Sequence, residues 1–324
     1  MHSTTIGNPA LWIAFNAFVV AMLALDLGVF HRKSHAVGFR EALIWSGVWI
    51  GLALVFNGFL AWQYGSERGL EFLTGYLIEK SLSVDNIFVF VVIFSALRVP
   101  PIYQHRVLFW GILSALLLRA AMIFAGAALL ARFHWLFYIF GAFLVITGIR
   151  LFLHRHEQEH PEEGRAMRLA RRVIPSTPHY DKHHFFTREN GRLLATPLFM
   201  ALLLVEISDV IFAVDSIPAV FAVTEDPFIV YTSNIFAILG LRSLFFLLSG
   251  VMEKFRYLKL GLTGVLVFVG VKMLIADIFH IPALVSLLVI VAIMGSAAVA
   301  SILAARRDEP RKHSLPREQV DRVV

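Results

Sequence analysis

Nine apolar stretches separated by short polar connections dominate this chain and leave it few folds to choose from. They run over residues 9–30, 41–62, 70–97, 105–131, 134–153, 193–223, 228–250, 258–279 and 282–305. A helix of about 20 residues crosses the hydrocarbon core of a bilayer, and inside that core a helix satisfies all its own backbone polar groups. The predicted fold is therefore all-α: a polytopic membrane protein of about nine transmembrane helices. Only 16% of the residues are charged, against about 25% in soluble domains, and the mean hydropathy is +0.73.

The basic residues set the expected orientation. Of the 29 Lys and Arg, 23 fall in connections that alternate with the spans on one side, among them Arg32, Lys33, Arg98, Arg106 and nine from Arg150 to Arg192. Such an excess marks the cytoplasmic side. The N-terminus is predicted outside and the C-terminus inside, in a cytoplasmic (inner) membrane. Residues 1–8 carry no Lys or Arg and the first span is followed by Arg32 and Lys33. That order reverses a secretory signal, so no cleavage is expected. A pI near 9.7 would fit a nucleic-acid partner only if the basic residues clustered on one surface; here they punctuate the spans, and the expected partners are lipid and a small ion.

A transmembrane domain over residues 1–305 is thus interrupted by one polar cytoplasmic linker, 155–191, and followed by a polar tail, 306–324. With His154 just before it, the linker region holds six of the thirteen histidines. No fixed ligand spacing is evident there, so a solvated linker is favoured over a metal site. Cysteine is absent, which excludes disulfides and thiolate metal sites. No HExxH, Ser–Lys or Gly-x-Ser-x-Gly pattern occurs, and no enzymatic activity or permanently bound cofactor is expected.

The third and sixth spans carry the chemistry. Leu77-Ile-Glu79-Lys-Ser-Leu-Ser-Val-Asp85-Asn86 and Leu204-Val-Glu206-Ile-Ser-Asp209-Val-Ile-Phe-Ala-Val-Asp215-Ser216-Ile-Pro218 place five carboxylates at lipid depth. Each charge at the centre of a spanning helix costs about 2.5–3.5 kcal/mol on insertion scales, a cost that packing alone does not explain. At 100° per residue Glu79, Ser83 and Asn86 share one helix face, and Asp209 and Ser216 share another. Asp85 and Asp215 lie off those faces. Pro218 clashes with the Val214 carbonyl of a regular helix, so a break near Asp215 is expected. Carboxylates, an amide and hydroxyls form a hard oxygen set suited to Mg²⁺, Ca²⁺ or Mn²⁺. The competing reading is structural ion pairing with the intramembrane bases Lys80, Arg119, Arg242 and Lys272. A mixed arrangement is also open, with Arg119 and Arg242 holding acids in place when no cation is bound. Asn16, Asp26 and Asn57 read as helix-packing contacts, Asp277 and His280 as interfacial residues.

The third to fifth spans resemble the sixth to eighth. Leu116-Leu-Leu-Arg119 matches Leu239-Gly-Leu-Arg242 at an offset of 123, and the stretch from Gly141 through Gly148 to Arg150 matches that from Gly264 through Gly270 to Lys272 at an offset of 123 falling to 122. The acidic segments align in two ways: an offset of 124 pairs Asp85 with Asp209, and an offset of 130, preferred because it matches three polar positions, pairs Glu79, Asp85 and Asn86 with Asp209, Asp215 and Ser216. The triplets begin on opposite sides of the membrane, so the repeat is inverted. Inverted repeats place a substrate near the midplane and permit alternating access.

Phe72-Leu-Thr-Gly-Tyr-Leu-Ile-Glu-Lys-Ser-Leu-Ser-Val-Asp-Asn86, Tyr138-Ile-Phe-Gly-Ala-Phe143, Glu206-Ile-Ser-Asp-Val-Ile-Phe-Ala-Val-Asp-Ser-Ile-Pro-Ala219, Asp226-Pro-Phe-Ile-Val230, Asn234-Ile-Phe-Ala-Ile-Leu-Gly-Leu-Arg242 and Lys272-Met-Leu-Ile275 resemble the TerC family of integral membrane proteins, in particular its Alx-type branch. The resemblance covers nearly the whole chain except the linker and tail. It implies a divalent-metal transporter with Mn²⁺ efflux as the leading activity, kinship with LysE-like exporters, and Glu79, Asp85, Asn86, Glu206, Asp209, Asp215 and Ser216 as metal-pathway residues. Ser83, Arg119, Arg242, Lys272 and Pro218 would support or gate that path. Proton exchange is one driving force, since the same acids bind protons. A Ca²⁺/H⁺ exchanger of the same architecture and a scaffold acting through the cytoplasmic linker are the alternatives. The family name refers to tellurium resistance, but an acidic cavity would repel a tellurite anion.

Overall fold

Helix formation follows the apolar stretches closely in the structure, a computed structural model that describes residues 5–28, 38–133, 135–153, 174–189, 191–249, 257–279 and 281–312. The helices are α1 (Pro9–Gly28), α2 (Phe39–Tyr64), α3 (Ser66–Ala96), α4 (Pro101–Arg132), α5 (Leu136–Leu153), α6 (Pro197–Phe221), α7 (Pro227–Leu239), α8 (Leu241–Ser249), α9 (Leu258–Leu274) and α10 (Ala283–Lys312). Each predicted stretch contains helix among the described residues. The protein is a polytopic all-α membrane protein. By length and hydropathy five of these helices qualify as membrane spans among the described residues, or six when α7 and α8 count as one bent span. α1 and α9 are apolar but shorter on that measure. α3 is 31 residues long and carries Glu67, Arg68, Glu71, Glu79, Lys80 and Asp85.

Local chemistry sets the helix starts. Proline occupies the first turn of α4, α6 and α7, where its missing N–H has no helical partner to lose. Asp226 caps α7 by accepting from the Phe228 N–H at 2.9 Å. The same carboxylate accepts from Thr5 Oγ1 at 2.7 Å and the Ile6 N–H at 2.8 Å, which ties the N-terminal segment to this cap. Gly65 joins α2 to α3 at φ +98, a backbone state that a side chain disfavours.

Packing then sorts the helices. α3 lies against α7 and α6 against α4, while α3 and α6 also contact each other. α5 and α9 form the most extensive helix pair. Their backbones meet where a Cβ added to Gly270 would fall 2.7 Å from the Gly141 carbonyl oxygen, and one added to Gly148 would fall 3.3 Å from that of Thr263. Small residues permit such close approach in membrane helices, where dispersion rather than hydrophobicity drives association. Trp12 and Phe15 of α1 pack edge-on or tilted against Phe228 and Tyr231 of α7, and Asn16 accepts from the Tyr231 hydroxyl at 2.7 Å.

Several expectations need correction. The linker is not wholly irregular: β1 (Phe186–Glu189) and β2 (Arg192–Ala195) form an antiparallel hairpin with Glu189 opposite Arg192. The sequence Asn-Gly between the strands is a favoured two-residue hairpin connection, and Gly191 has φ +77. α6 runs through Pro218 without a break. Proline removes one backbone donor, and tight packing on α3 and α4 holds the rest of the helix. The discontinuity falls instead in the seventh stretch, where α7 and α8 meet at 41°. There Gly240 lies under Lys80 and Trp49, with Lys80 Nζ donating to the Ala237 carbonyl at 3.3 Å. α10 extends to Lys312, into the predicted tail. The histidine-rich part of the linker (154–173), the tail beyond 312, His280 and the side chain of Asp26 lie outside the described residues.

Gly270→Val is expected to cost about 1–3 kcal/mol, the range for overpacking, because its Cβ meets backbone. Gly47→Ala, with nothing within 4 Å of the new atom, should be near neutral. Thermal unfolding of the detergent-solubilised variants separates the two.

Candidate functional site

The midpoints of α3, α4 and α6 converge on one guanidinium. Arg119 of α4 is 1% exposed. Its Nη2 donates to Asp209 Oδ1 at 2.7 Å and its Nε to Asp209 Oδ2 at 3.0 Å, a two-pronged contact. Its Nη1 donates to Glu79 Oε1. The same Nη1 lies 3.4 Å from Asn234 Oδ1 on α7 and 3.5 Å from Ser216 Oγ. Charge-assisted, bidentate contacts of this kind are the strong ones in proteins, and at this depth the pairing removes most of the cost of two buried carboxylates. Glu79, Asp209 and Arg119 together carry one net negative charge when all are ionised.

Next to this pair stands a row of oxygens without partners. Asn86 Nδ2 donates to Asp209 Oδ1 at 3.4 Å, which leaves Asn86 Oδ1 facing away from that bond. Asn86 Oδ1, Glu79 Oε2 and Ser83 Oγ are all buried and make no hydrogen bond among the described residues. The three side chains are the stripe that helical periodicity places on one face of α3. A buried acceptor left unpaired costs about 1–3 kcal/mol, so three on one stripe call for a ligand, a water or a cation.

The remaining predicted residues surround this centre rather than join it. Glu206 turns toward α4, where it meets the Ser114 hydroxyl. Asp215 turns the other way, toward Thr147 on α5. Asp209 and Ser216 are buried on α6, and Pro218 is buried one turn from Asp215. Asp85 lies on α3, with its side chain outside the described residues. Arg242 and Lys272 are buried, on α8 and α9. Lys272 lines a cavity of about 380 Å³ with Glu67, Glu71, Thr224, Glu225 and Asp226 at the α3 N-terminus. Among the described residues no three His, Asp or Glu side chains form a ready metal cluster, because Arg119 stands between the two central carboxylates.

Structural ion pairing thus accounts for Glu79 and Asp209 in this conformation, while Glu206 and Asp215 have hydroxyl partners instead of bases. Sequence reading missed Ser114, Thr147 and Asn234. Hydroxyls and a single amide are common in spanning helices, and only a three-dimensional neighbour distinguishes these. Asn234 is fully buried on a helix whose described residues are almost all buried, which is a signal a sequence does not carry.

Comparison with known proteins agrees with the architecture. The family model described as integral membrane protein TerC family matches residues 64–309. An uncharacterised membrane protein of Myxococcus xanthus is 69% identical over 302 residues, covering 93% of this chain and 95% of the relative. An Escherichia coli K12 protein provisionally named membrane-bound redox modulator Alx is 50% identical over 299 residues, with 90% and 93% covered. An uncharacterised membrane protein of Rickettsia felis is 41% identical over 292 residues, with 90% and 97% covered. No solved structure matches.

Removing the guanidinium alone would leave two buried carboxylates uncompensated. Arg119→Gln is expected to lower stability by about 3–5 kcal/mol, as for a broken buried ion pair. The triple variant Arg119→Gln, Glu79→Gln, Asp209→Asn should recover most of it. Thermal unfolding in detergent reads both, and equal loss in the single and triple variants would refute the pairing.

Proposed function

This chain belongs to the integral membrane protein TerC family, and we propose that it moves a divalent cation across the cytoplasmic membrane, with Mn²⁺ efflux as its main activity. The observation that carries the reading is the stripe of unpaired oxygens on Glu79, Ser83 and Asn86 beside the Arg119-bridged carboxylates. In this proposal Arg119 is a tethered counter-ion. It neutralises Glu79 and Asp209 while no cation is bound and swings aside when a divalent ion takes its place. The arriving ion gains two carboxylates, the Asn86 and Asn234 amide oxygens and the Ser83 and Ser216 hydroxyls, a hard donor set that suits Mn²⁺ or Ca²⁺. Glu206, Asp215 and Asp85 then line the path to and from the centre, and Arg242 and Lys272 act as supporting charges.

The proposed scaffold has nine spans, with α7 and α8 forming one broken span, and a three-plus-three inverted repeat. The reciprocal packing of α3 on α7 and α6 on α4 supports it, since the repeat pairs α3 with α6 and α4 with α7–α8. The glycine crossing supports it too. Gly141 meets Gly270, and Gly148 meets Thr263 beside Gly264; the repeat pairs Gly141 with Gly264 and Gly148 with Gly270. Charge in the connections then puts the ends at Leu97 and Pro197 in the cytoplasm and the acidic cavity at Glu67 and Glu225 outside. The oxygen set does not distinguish Mn²⁺ from Ca²⁺, which remains the second reading. A thiol-based redox role has no cysteine here to act through.

Uptake of Mn²⁺, Ca²⁺, Mg²⁺ and Zn²⁺ into inverted vesicles tests the reading. Mn²⁺ is expected to be the preferred ion. Glu79→Gln and Asp209→Asn should abolish uptake, and Asp85→Asn and Asp215→Asn should reduce it at least tenfold with the protein still in the membrane. With equal pH on both sides, uptake should weaken as pH falls, because protons compete for ligands that bind the ion only when deprotonated. Undiminished transport by the Glu79 and Asp209 variants would sink the assignment.

A further inference from the structure

The described residues of the segment 174–196 are tied to one another by hydrogen bonds. The Thr177 N–H donates to the Ala195 carbonyl at 2.9 Å and the Ala195 N–H to that of Pro175 at 2.8 Å. Thr177 Oγ1 donates to Glu189 Oε1 at 2.9 Å, and the buried Thr196 hydroxyl donates to the His184 carbonyl at 2.8 Å. β1 and β2 complete it. Three contacts fasten this unit to three different helices. The Tyr180 hydroxyl donates to the Leu97 carbonyl at 2.8 Å, at the C-terminus of α3. The Phe185 ring lies under the Arg106 guanidinium of α4 at 5.2 Å. Phe186 packs on Phe199 of α6, ring centres 4.5 Å apart.

Leu97 is where α3 stops: the next residue, Arg98, has φ +52 and turns the chain away. Carbonyls at a helix C-terminus lack intrahelical partners, so the Tyr180 hydroxyl meets an acceptor that the helix itself leaves open. Burial pushes that hydroxyl up to about 12, and it stays a donor at any physiological pH. Between the unit and the helix ends lies a cavity of about 420 Å³ lined by Leu97, Arg98, Thr177, Tyr180, Pro197 and Met200. The three helices so fastened are the ones that supply Glu79, Arg119 and Asp209.

We propose that residues 174–196 form a latch across the cytoplasmic mouth of the path: it holds the inner ends of α3, α4 and α6 together and must release before the carboxylate centre opens to the cytoplasm. The proposal rests on the orientation and site given under Proposed function. The latch is continuous with α6 through Thr196, so that helix carries it as it moves. Among the described residues, the Tyr180 hydrogen bond and the Phe185–Arg106 contact hold α3 and α4 to it, and these are the contacts that would part.

Because the chain has no cysteine, access can be read without altering it further. Ser83→Cys places a thiol at a buried midplane position, and a membrane-impermeant maleimide added to inverted vesicles reports cytoplasmic access. Tyr180→Phe is expected to speed labelling about fivefold, the population shift from losing one hydrogen bond of ordinary net worth. Arg106→Gln should act in the same direction. Leu193→Ala, on a side chain 62% exposed on the hairpin, should leave the rate unchanged. Should either latch variant misfold, Leu97→Cys with Tyr180→Cys closed by a short bifunctional thiol cross-linker, which spans a gap that a disulfide does not, offers the opposite test, with labelling at position 83 then falling at least fivefold by peptide mass. Unchanged labelling in Tyr180→Phe and Arg106→Gln, or in the closed double variant, overturns the latch. The readout needs no metal flux, so a failed latch leaves the transport proposal standing, and a confirmed one does not rescue it.

Discussion

The buried pairing of Arg119 with Glu79 and Asp209 is the interaction on which this structure turns. It is what lets two carboxylates sit at lipid depth on helices from the two halves of the chain, and it draws α3, α4 and α6 to one point. A fully buried ion pair contributes little net stability compared with an apolar replacement of the same volume. What it does is make the position of each helix depend on the other two, since any shift that separates the charges leaves them uncompensated. Under the transport proposal such a centre has two low-energy conditions: closed on its own arginine, or open on a replacement cation. Conditions between them are costly.

The rest of the polar architecture is graded around that point. Glu206 and Asp215 flank it on opposite sides of α6, each against a hydroxyl rather than a base. A carboxylate held by a hydroxyl gives up less when it exchanges its partner for a metal or a proton than one held by a guanidinium, because the hydrogen bond it loses is weaker. The acidic cavity lies at the α3 N-terminus and the hairpin-covered cavity at its C-terminus, and the proposed path would run between them. α7–α8 adds an irregularity: α4 is unbroken, while the bend at Gly240 is occupied by Lys80. Irregular backbone at this depth survives only where protein or a cavity covers it, and Lys80 with Trp49 supplies that cover.

Much of the fold was legible in the residues. Apolar runs long enough to cross a bilayer located every described helix, because in lipid a segment must satisfy its own backbone. The stripe of Glu79, Ser83 and Asn86 followed from the helical period alone, and it is the stripe that carries the unpaired oxygens. The break was misplaced for a reason that is also physical. Proline in a helix removes one hydrogen bond, and neighbours around Pro218 hold α6 straight, whereas Gly240 yields because a lysine side chain intrudes there. The hairpin was missed because its two strands are only four residues each, too short for alternation to show, with Asn190-Gly191 as the lone cue.

Residue types and their spacing along the chain therefore determined that the protein is built of membrane helices, that carboxylates lie at their midpoints, and which face of α3 carries the buried oxygens. They did so because burial in lipid acts on each segment separately. Which acid is held by which partner was decided only in three dimensions. Arg119 lies 40 residues from Glu79 and 90 from Asp209, and four intramembrane bases were available. Only the packing of α3, α4 and α6 selects one of them, because a charge pair in a low-dielectric interior is settled by ångström-scale contact, which chain order does not specify.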